Sequence, residues 1–165
     1  SKSFGFPVWH QRAYFSNGKF SRYLPTCSAA FNGQIIVGDG FSGNLYAMDL
    51  KNYTDNGAPR KWLRSWRAHA QTSVQTVPYR CLEIDLETGI GVADGFSPNL
   101  SLRYTDDAHT WSNERIQAAG PAGAVSQRVR FNRLGMERRG LNNDRVLELS
   151  SSDAFKVALI GADIS

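Results

Sequence analysis

Ile35-Ile36-Val37-Gly38-Asp39-Gly40-Phe41-Ser42-Gly43-Asn44-Leu45 reads as an apolar strand, a tight polar turn and the opening of a second strand. β-Branched residues fit a pleated, half-buried surface, and glycine supplies turn conformations that other residues adopt at a cost. The same order returns downstream, where Ile90-Gly91-Val92 precedes Asp94-Gly95-Phe96-Ser97-Pro98-Asn99-Leu100. Tyr53-Thr54-Asp55-Asn56-Gly57 is echoed by Tyr104-Thr105-Asp106-Asp107-Ala108, and a tryptophan follows each, Trp62 and Trp111. One strand–turn–strand–turn unit thus occurs twice, about 55 residues apart, near the blade period of some propellers. Two copies do not close a propeller. The repeat therefore predicts either a partial β-propeller or two related hairpin units packed face to face as a β-sandwich.

Outward from the repeat the same signals continue. Leu82, Ile84 and Leu86 alternate with Glu83 and Asp85, and Val129 and Phe131 alternate with Arg128, Arg130 and Asn132. A period of two over short runs marks strands with one buried face. Asn17-Gly18, Asn32-Gly33, Ser42-Gly43, Asn56-Gly57 and Thr88-Gly89 separate the runs, and Asn-Gly suits tight hairpins because both residues tolerate positive φ. The pattern predicts strands near 20–24, 27–31, 34–38, 44–50, 60–67, 74–86, 89–93, 99–105, 115–118, 125–133, 144–150 and 155–160. Residues 132–139 are the one stretch where a helical turn competes, and Gly135 and Gly140 favour a loop. The expectation is an all-β chain of antiparallel sheets. Residues 1–67 form a first, blade-like unit, and 68–165 a second packed with it as one domain; the polar stretch 68–76 links them.

Length and composition agree with a soluble globular chain. At 165 residues, with 41% hydrophobic and 21% charged residues, it can bury a sizeable core. No apolar run approaches the roughly 20 residues of a membrane-spanning helix, and Ser1-Lys2-Ser3-Phe4-Gly5 does not begin a signal peptide. Without an initiator Met the chain reads as a fragment. Net charge is +4, a mild bias that permits a nucleic-acid neighbour without demanding one. Cys27 and Cys81 make no disulfide framework and no zinc site, and read as free, partly buried thiols of a protein made in a reducing cytosol.

Catalytic constellations are missing from the sequence. His10, His69 and His109 stand apart from one another in polar contexts, without metal-ligand spacing. Ser150-Ser151-Ser152-Asp153 lacks the Gly-x-Ser-x-Gly elbow and reads as a strand end bonding to backbone. Gly120-Pro121-Ala122-Gly123 has no following Lys-Ser/Thr and is a turn rather than a phosphate loop. The adjacent acids Asp106-Asp107 and the Asn143-Asp144 pair read as turn residues bonded to backbone amides. No metal, cofactor or enzymatic activity is expected.

Two features carry the candidate sites. Asp106-Asp107-Ala108-His109-Thr110-Trp111 resembles a degenerate Asp-box, the Ser-x-Asp-x-Gly-x-Thr-Trp hairpin of sialidase-like propellers. Asp106, Thr110 and Trp111 match, while Tyr104 and Ala108 hold the serine and glycine positions. In such a hairpin the Asp bonds turn amides and the Trp packs beneath, a structural role. A glycan-binding or sialidase-like propeller fragment is the alternative this motif keeps open. The second feature is a basic segment, Arg128, Arg130, Arg133, Arg138 and Arg139, with Arg60, Lys61, Arg64 and Arg67 as a lesser group. Arg128 and Arg130 project from one strand face, to meet DNA phosphates or an acidic partner, or simply to be solvated. Trp9, Trp62 and Trp66 join the segment as candidate interface anchors.

The ordered set of these stretches resembles a known family. Ile36-Val37-Gly38-Asp39, Ser42-Gly43-Asn44-Leu45-Tyr46 and Tyr53-Thr54-Asp55-Asn56-Gly57-Ala58-Pro59 come first. Asn99-Leu100-Ser101-Leu102-Arg103, Val129-Arg130-Phe131-Asn132-Arg133-Leu134-Gly135 and Asp144-Arg145-Val146-Leu147-Glu148-Leu149-Ser150 follow. Together, over residues 31–162, they are similar to the C-terminal half of packaged-DNA stabilisation proteins of short-tailed phages. The resemblance implies a virion protein, made in the host bacterial cytoplasm, that helps seal the DNA-filled head and forms part of the tail hub. It implies a homo-oligomeric ring, most plausibly of six copies. Its partners would be the portal or adaptor and distal tail parts, with contact to packaged DNA and no membrane.

Overall fold

A computed structural model of the chain describes residues 10–68, 76–90, 92, 94–138 and 145–165. Among these residues all regular structure is β, without a helix, as the period-two patterning predicts. The chain forms two compact units, Ser1–Arg60 and Lys61–Ser165.

In the first unit three hairpins turn on Asn-Gly. β1 (Tyr14–Ser16) and β2 (Lys19–Ser21) join through Asn17-Gly18. β3 (Pro25–Phe31) and β4 (Gln34–Asp39) join through Asn32-Gly33. β6 (Thr54–Asp55) and β7 (Ala58–Pro59) join through Asn56-Gly57. Each of these six turn residues has φ between +48° and +79°, the positive range that two-residue hairpins require. β5 (Leu45–Met48) pairs antiparallel with β4 and completes the meander β3-β4-β5. Asp39 fixes the β4–β5 turn: its carboxylate accepts the Phe41 N–H at 2.8 Å and the Ser42 hydroxyl at 2.5 Å. Little of this unit is buried, since Val37 and Gly38 are its only buried residues among those described.

The second unit holds β8 (Trp62–Arg67), β9 (Thr76–Glu87), β10 (Asn99–Thr105), β11 (Arg115–Ala118), β12 (Gln127–Arg138), β13 (Val146–Ser151) and β14 (Ala158–Ile164). Residues 62–67, grouped with the first half in the sequence reading, run antiparallel along β13 and so extend the second unit's sheet. Two antiparallel sheets result, in the orders β11-β10-β13-β8 and β12-β9-β14. Leu100, Leu102, Leu147 and Leu149 of one sheet share a single buried cluster with Leu82, Ile84, Leu86, Val129 and Phe131 of the other. This is a β-sandwich, with the alternating positions of each strand supplying its inner face. The repeat's second copy leads into β10, whose partners are β11 and β13.

Two local expectations need correction. No strand includes Gly89, Ile90 or Val92. The Gly89 carbonyl accepts the Gly123 N–H and the Ile90 carbonyl the Lys156 N–H, so this backbone bonds to loops instead of a ladder. Residues 132–138 are strand, not loop. β12 passes through them by a bulge between Asn132 and Gly135, where Arg133 and Gly135 adopt φ of +59° and +80°.

Candidate functional site

The charged face of the second sheet follows from register. Arg128 lies opposite Asp85, and Arg130 opposite Glu83, which in turn faces Asp163 of β14. Directly opposed residues share a face, so these five side chains stand together on the outer surface. The Arg128 guanidinium forks onto Asp85, with Nε–Oδ1 at 2.7 Å and Nη2–Oδ2 at 3.1 Å, and Arg130 Nε reaches Glu83 Oε1 at 3.0 Å. The hydrogen bonds from Arg128 hold the Asp85 carboxyl below its usual range. Arg128 and Arg130 therefore project together as expected, yet their charge is spent within the sheet. Cys81 is buried beside them, its Sγ 3.1 Å from Ser165 Oγ and 3.5 Å from Arg130 Nη2. Hydrogen bonds from Ser165 first, then Arg130, pull its thiol below the usual value. Cys27, by contrast, is exposed, where partial burial was expected.

Arg133 sits in the β12 bulge, exposed and without a carboxylate partner among the described residues. Arg138 closes the strand by its backbone; its side chain and all of Arg139 lie outside the described residues, as do Trp9, His69, Asn143 and Asp144. Trp62 and Trp66 pack half-buried against the sandwich core, so they serve the fold rather than an exposed anchor.

The Asp-box-like turn is built differently from the sequence expectation. Asp107, not Asp106, bonds the turn amides: its Oδ1 accepts the N–H of His109 at 2.8 Å and of Thr110 at 2.6 Å, and the Thr105 hydroxyl at 2.9 Å. Those amide bonds, Thr110 first, hold the Asp107 carboxyl far below the usual range. Ala108 accepts φ of +61° at the position where the motif has glycine. Trp111 lies against the Arg103 guanidinium, whose Cζ is 4.5 Å from the ring centroid. Arg103 also pairs with buried Glu148 at 2.7 Å.

Asp106 is drawn away by Arg145, a residue the sequence reading passed over. Arg145 is 1% exposed and forks onto Asp106 with Nε–Oδ1 at 2.6 Å and Nη2–Oδ2 at 2.8 Å. It also donates to the carbonyls of Leu134 at 2.8 Å and Met136 at 3.1 Å. The rings of Tyr104 and Tyr79 lie 4.1 Å and 5.2 Å from its Cζ. Arg115 in turn donates to the Asn132 carbonyl. Arg115 and Arg145 thus satisfy three carbonyls along the bulged half of β12. What could have revealed Arg145 is its place at the head of the apolar strand Val146–Ser151; nothing local named Asp106, 39 residues away, as its partner. Among the described residues no three His, Cys, Asp or Glu side chains gather as metal ligands.

The second unit is thus a β-sandwich whose sheet β12-β9-β14 carries paired charges on its outer face. A family model described as Bacteriophage P22 Gp10, beta-sandwich, matches residues 62–165, the whole of the second unit from the first residue of β8. The chain belongs to that family. As a member of the P22 Gp10 sandwich family it is a structural protein of a bacteriophage virion. No curated protein matches the chain.

Proposed function

We propose that this protein is part of the hub that seals the DNA-filled phage head and joins portal to tail. The observation that carries the reading is the family match over residues 62–165. Its mechanism is assembly, not bond chemistry. Several copies, six by the resemblance, surround an axial channel beneath the portal or adaptor, and their distal surface receives further tail parts. Specific interfaces of that kind bury more than about 1,000 Å² and rely on aromatic and arginine side chains. Arg133, exposed and without a carboxylate partner among the described residues, is a cation of the predicted basic segment placed to meet packaged DNA.

The test is a phage carrying a stop codon in the parent gene, with DNA retained in the particles measured after lysis. Heads that package and then leak support the seal. Heads that stay full but fail to adsorb overturn it in favour of receptor binding, and direct attention to the Asp107 turn.

A further inference from the structure

Charge on the sheet β12-β9-β14 is answered at one end and not at the other. Along residues 127–131 of β12, Arg128 and Arg130 meet Asp85 and Glu83, and Asp163 of β14 also attracts Arg128. At the bulge the answer stops. Asn132 faces Cys81 and Gly135 faces Tyr79, so Arg133 lies across the ladder from Arg80. Both strands break their alternation here. On β12 the extra residue gives Arg133 its positive φ, and on β9 the N–H groups of Arg80 and Cys81 both donate to the Ser165 carbonyl. Tyr79 and Leu82 stay in the core, as do Phe131 and Leu134, while Arg80 and Arg133 between them are exposed. Bulges re-aim side chains in this way. Arg115 arrives from β11, at the edge of the other sheet, and donates to the Asn132 carbonyl, a neutral acceptor that leaves its charge standing. None of these three guanidinium groups has a carboxylate partner among the described residues.

Like charges gathered without counter-charges repel one another, and a bound anion relieves them. Guanidinium forks match phosphate oxygens, two nitrogens to two oxygens. The outer-face residues beside them, Pro78, Cys81, Asn132 and Met136, include no aromatic ring. Protein interfaces are anchored by aromatic side chains, and single-stranded bases are held by stacking on them. A duplex backbone needs neither, because its phosphates are reached by arginine alone. We infer that Arg80, Arg115 and Arg133 form a sequence-independent site for the backbone phosphates of duplex DNA, centred on the β12 bulge. The inference deepens the DNA contact of the hub reading and rests on that reading for its ligand. Arg80 and Arg115 lie outside the basic segment that the sequence displays.

The test is fluorescence anisotropy of a short labelled DNA duplex titrated with the 165-residue chain. Wild type binds with a Kd of about 1–100 μM at physiological salt, whatever the base sequence, and more weakly as salt rises. Arg80→Gln and Arg133→Asn each weaken binding about threefold or more and reduce the salt slope by about one. Asparagine tolerates positive φ, so Arg133→Asn removes the charge without straining the bulge, and its thermal melt stays that of wild type. Arg64→Gln, at an exposed cation on β8, leaves the affinity unchanged. A chain that does not bind the duplex, or a loss from Arg64→Gln as large as that from Arg133→Asn, would overturn the site. Poly-glutamate bound as tightly as the duplex would overturn it in favour of an acidic protein partner. Heads that leak without the protein, while both variants bind the duplex like wild type, leave the hub standing and only this site wrong. Heads that stay full, while both variants lose the duplex, overturn the hub and keep the site.

Discussion

Arg145 and Arg128 each grip an aspartate with two guanidinium nitrogens, and the distances are nearly the same: 2.6 and 2.8 Å to Asp106, 2.7 and 3.1 Å to Asp85. Their surroundings differ. Arg145 is 1% exposed, between two tyrosines and against two carbonyls; Arg128 is 63% exposed on the outer sheet face. Solvent competes for every contact that Arg128 makes, whereas Arg145 has only the protein. The difference teaches that pair geometry says little about a charge until its alternative partners are known. In this sandwich Arg145 ties the end of β10, the bulge of β12 and the head of β13 together. Arg128 decorates an exposed face, its charge answered by Asp85 and Glu83 beside it.

The largest expected effect comes from removing the buried cation's fork partner. Asp106→Ala removes the carboxylate onto which Arg145 forks and should destabilise the chain by about 3 kcal/mol, toward the low end for a broken buried pair because Asp106 is itself partly exposed. Urea denaturation at neutral pH measures it, and a loss no larger than that of a surface pair would erase the distinction between the two regions. Arg145→Lys is the sharper probe. It keeps a positive charge but cannot fork onto Asp106 while donating to both Leu134 and Met136, so at least one buried acceptor is left open, at a cost of about 1–3 kcal/mol. Equal stability of this variant and wild type would mean that charge alone, not the planar fork, is what the site uses.

These same residues show what the sequence could and could not reveal. The strands of the sandwich were legible wherever alternation ran against one buried face, as at Leu82, Ile84 and Leu86, and every Asn-Gly that was singled out became a hairpin turn. The segment 89–93 misled because apolar residues beside glycine read as strand, while Gly89 is packed so tightly on the Ala124 backbone that an added Cβ would clash with its carbonyl oxygen. Residues 132–138 misled in the opposite sense: Gly135 signals a loop locally, but long-range pairing with β9 overrides it through a bulge. The basic segment was found by counting arginines. Counting cannot see that Asp85 and Glu83, some forty residues earlier, sit directly across the ladder. The motif at 104–111 placed its carboxylate one residue early because a match to spacing cannot tell which of two neighbouring aspartates turns inward to the amides and which turns away to Arg145.

Asp107 extends the comparison to a carboxylate held by amides instead of a guanidinium. Its pKa is depressed in the folded chain, so the stabilisation it gives is complete above the ordinary value of 3.8 and disappears as pH falls through the lower, folded value. Asp107→Ala should therefore lower the melting temperature near neutral pH by less than Arg145→Lys does, and the gap between variant and wild type should begin to narrow as pH falls below 3.8 and close only toward the lower, folded value. A gap that persists unchanged in acid would mean that the side chain's packing, not its charge, organises the turn.

The smallest effect is expected at the surface pair. Arg128→Gln removes the charge but keeps most of the stem, and Glu83 and Asp85 then turn to water, which the outer face gives them freely. In dilute solution at moderate salt the urea midpoint should stay within error of wild type, since exposed pairs of this kind are screened and entropically costly to hold. A loss as large as that of Asp106→Ala would show that Arg128 supports the fold in its own right and that exposure is a poor guide to what an arginine holds together.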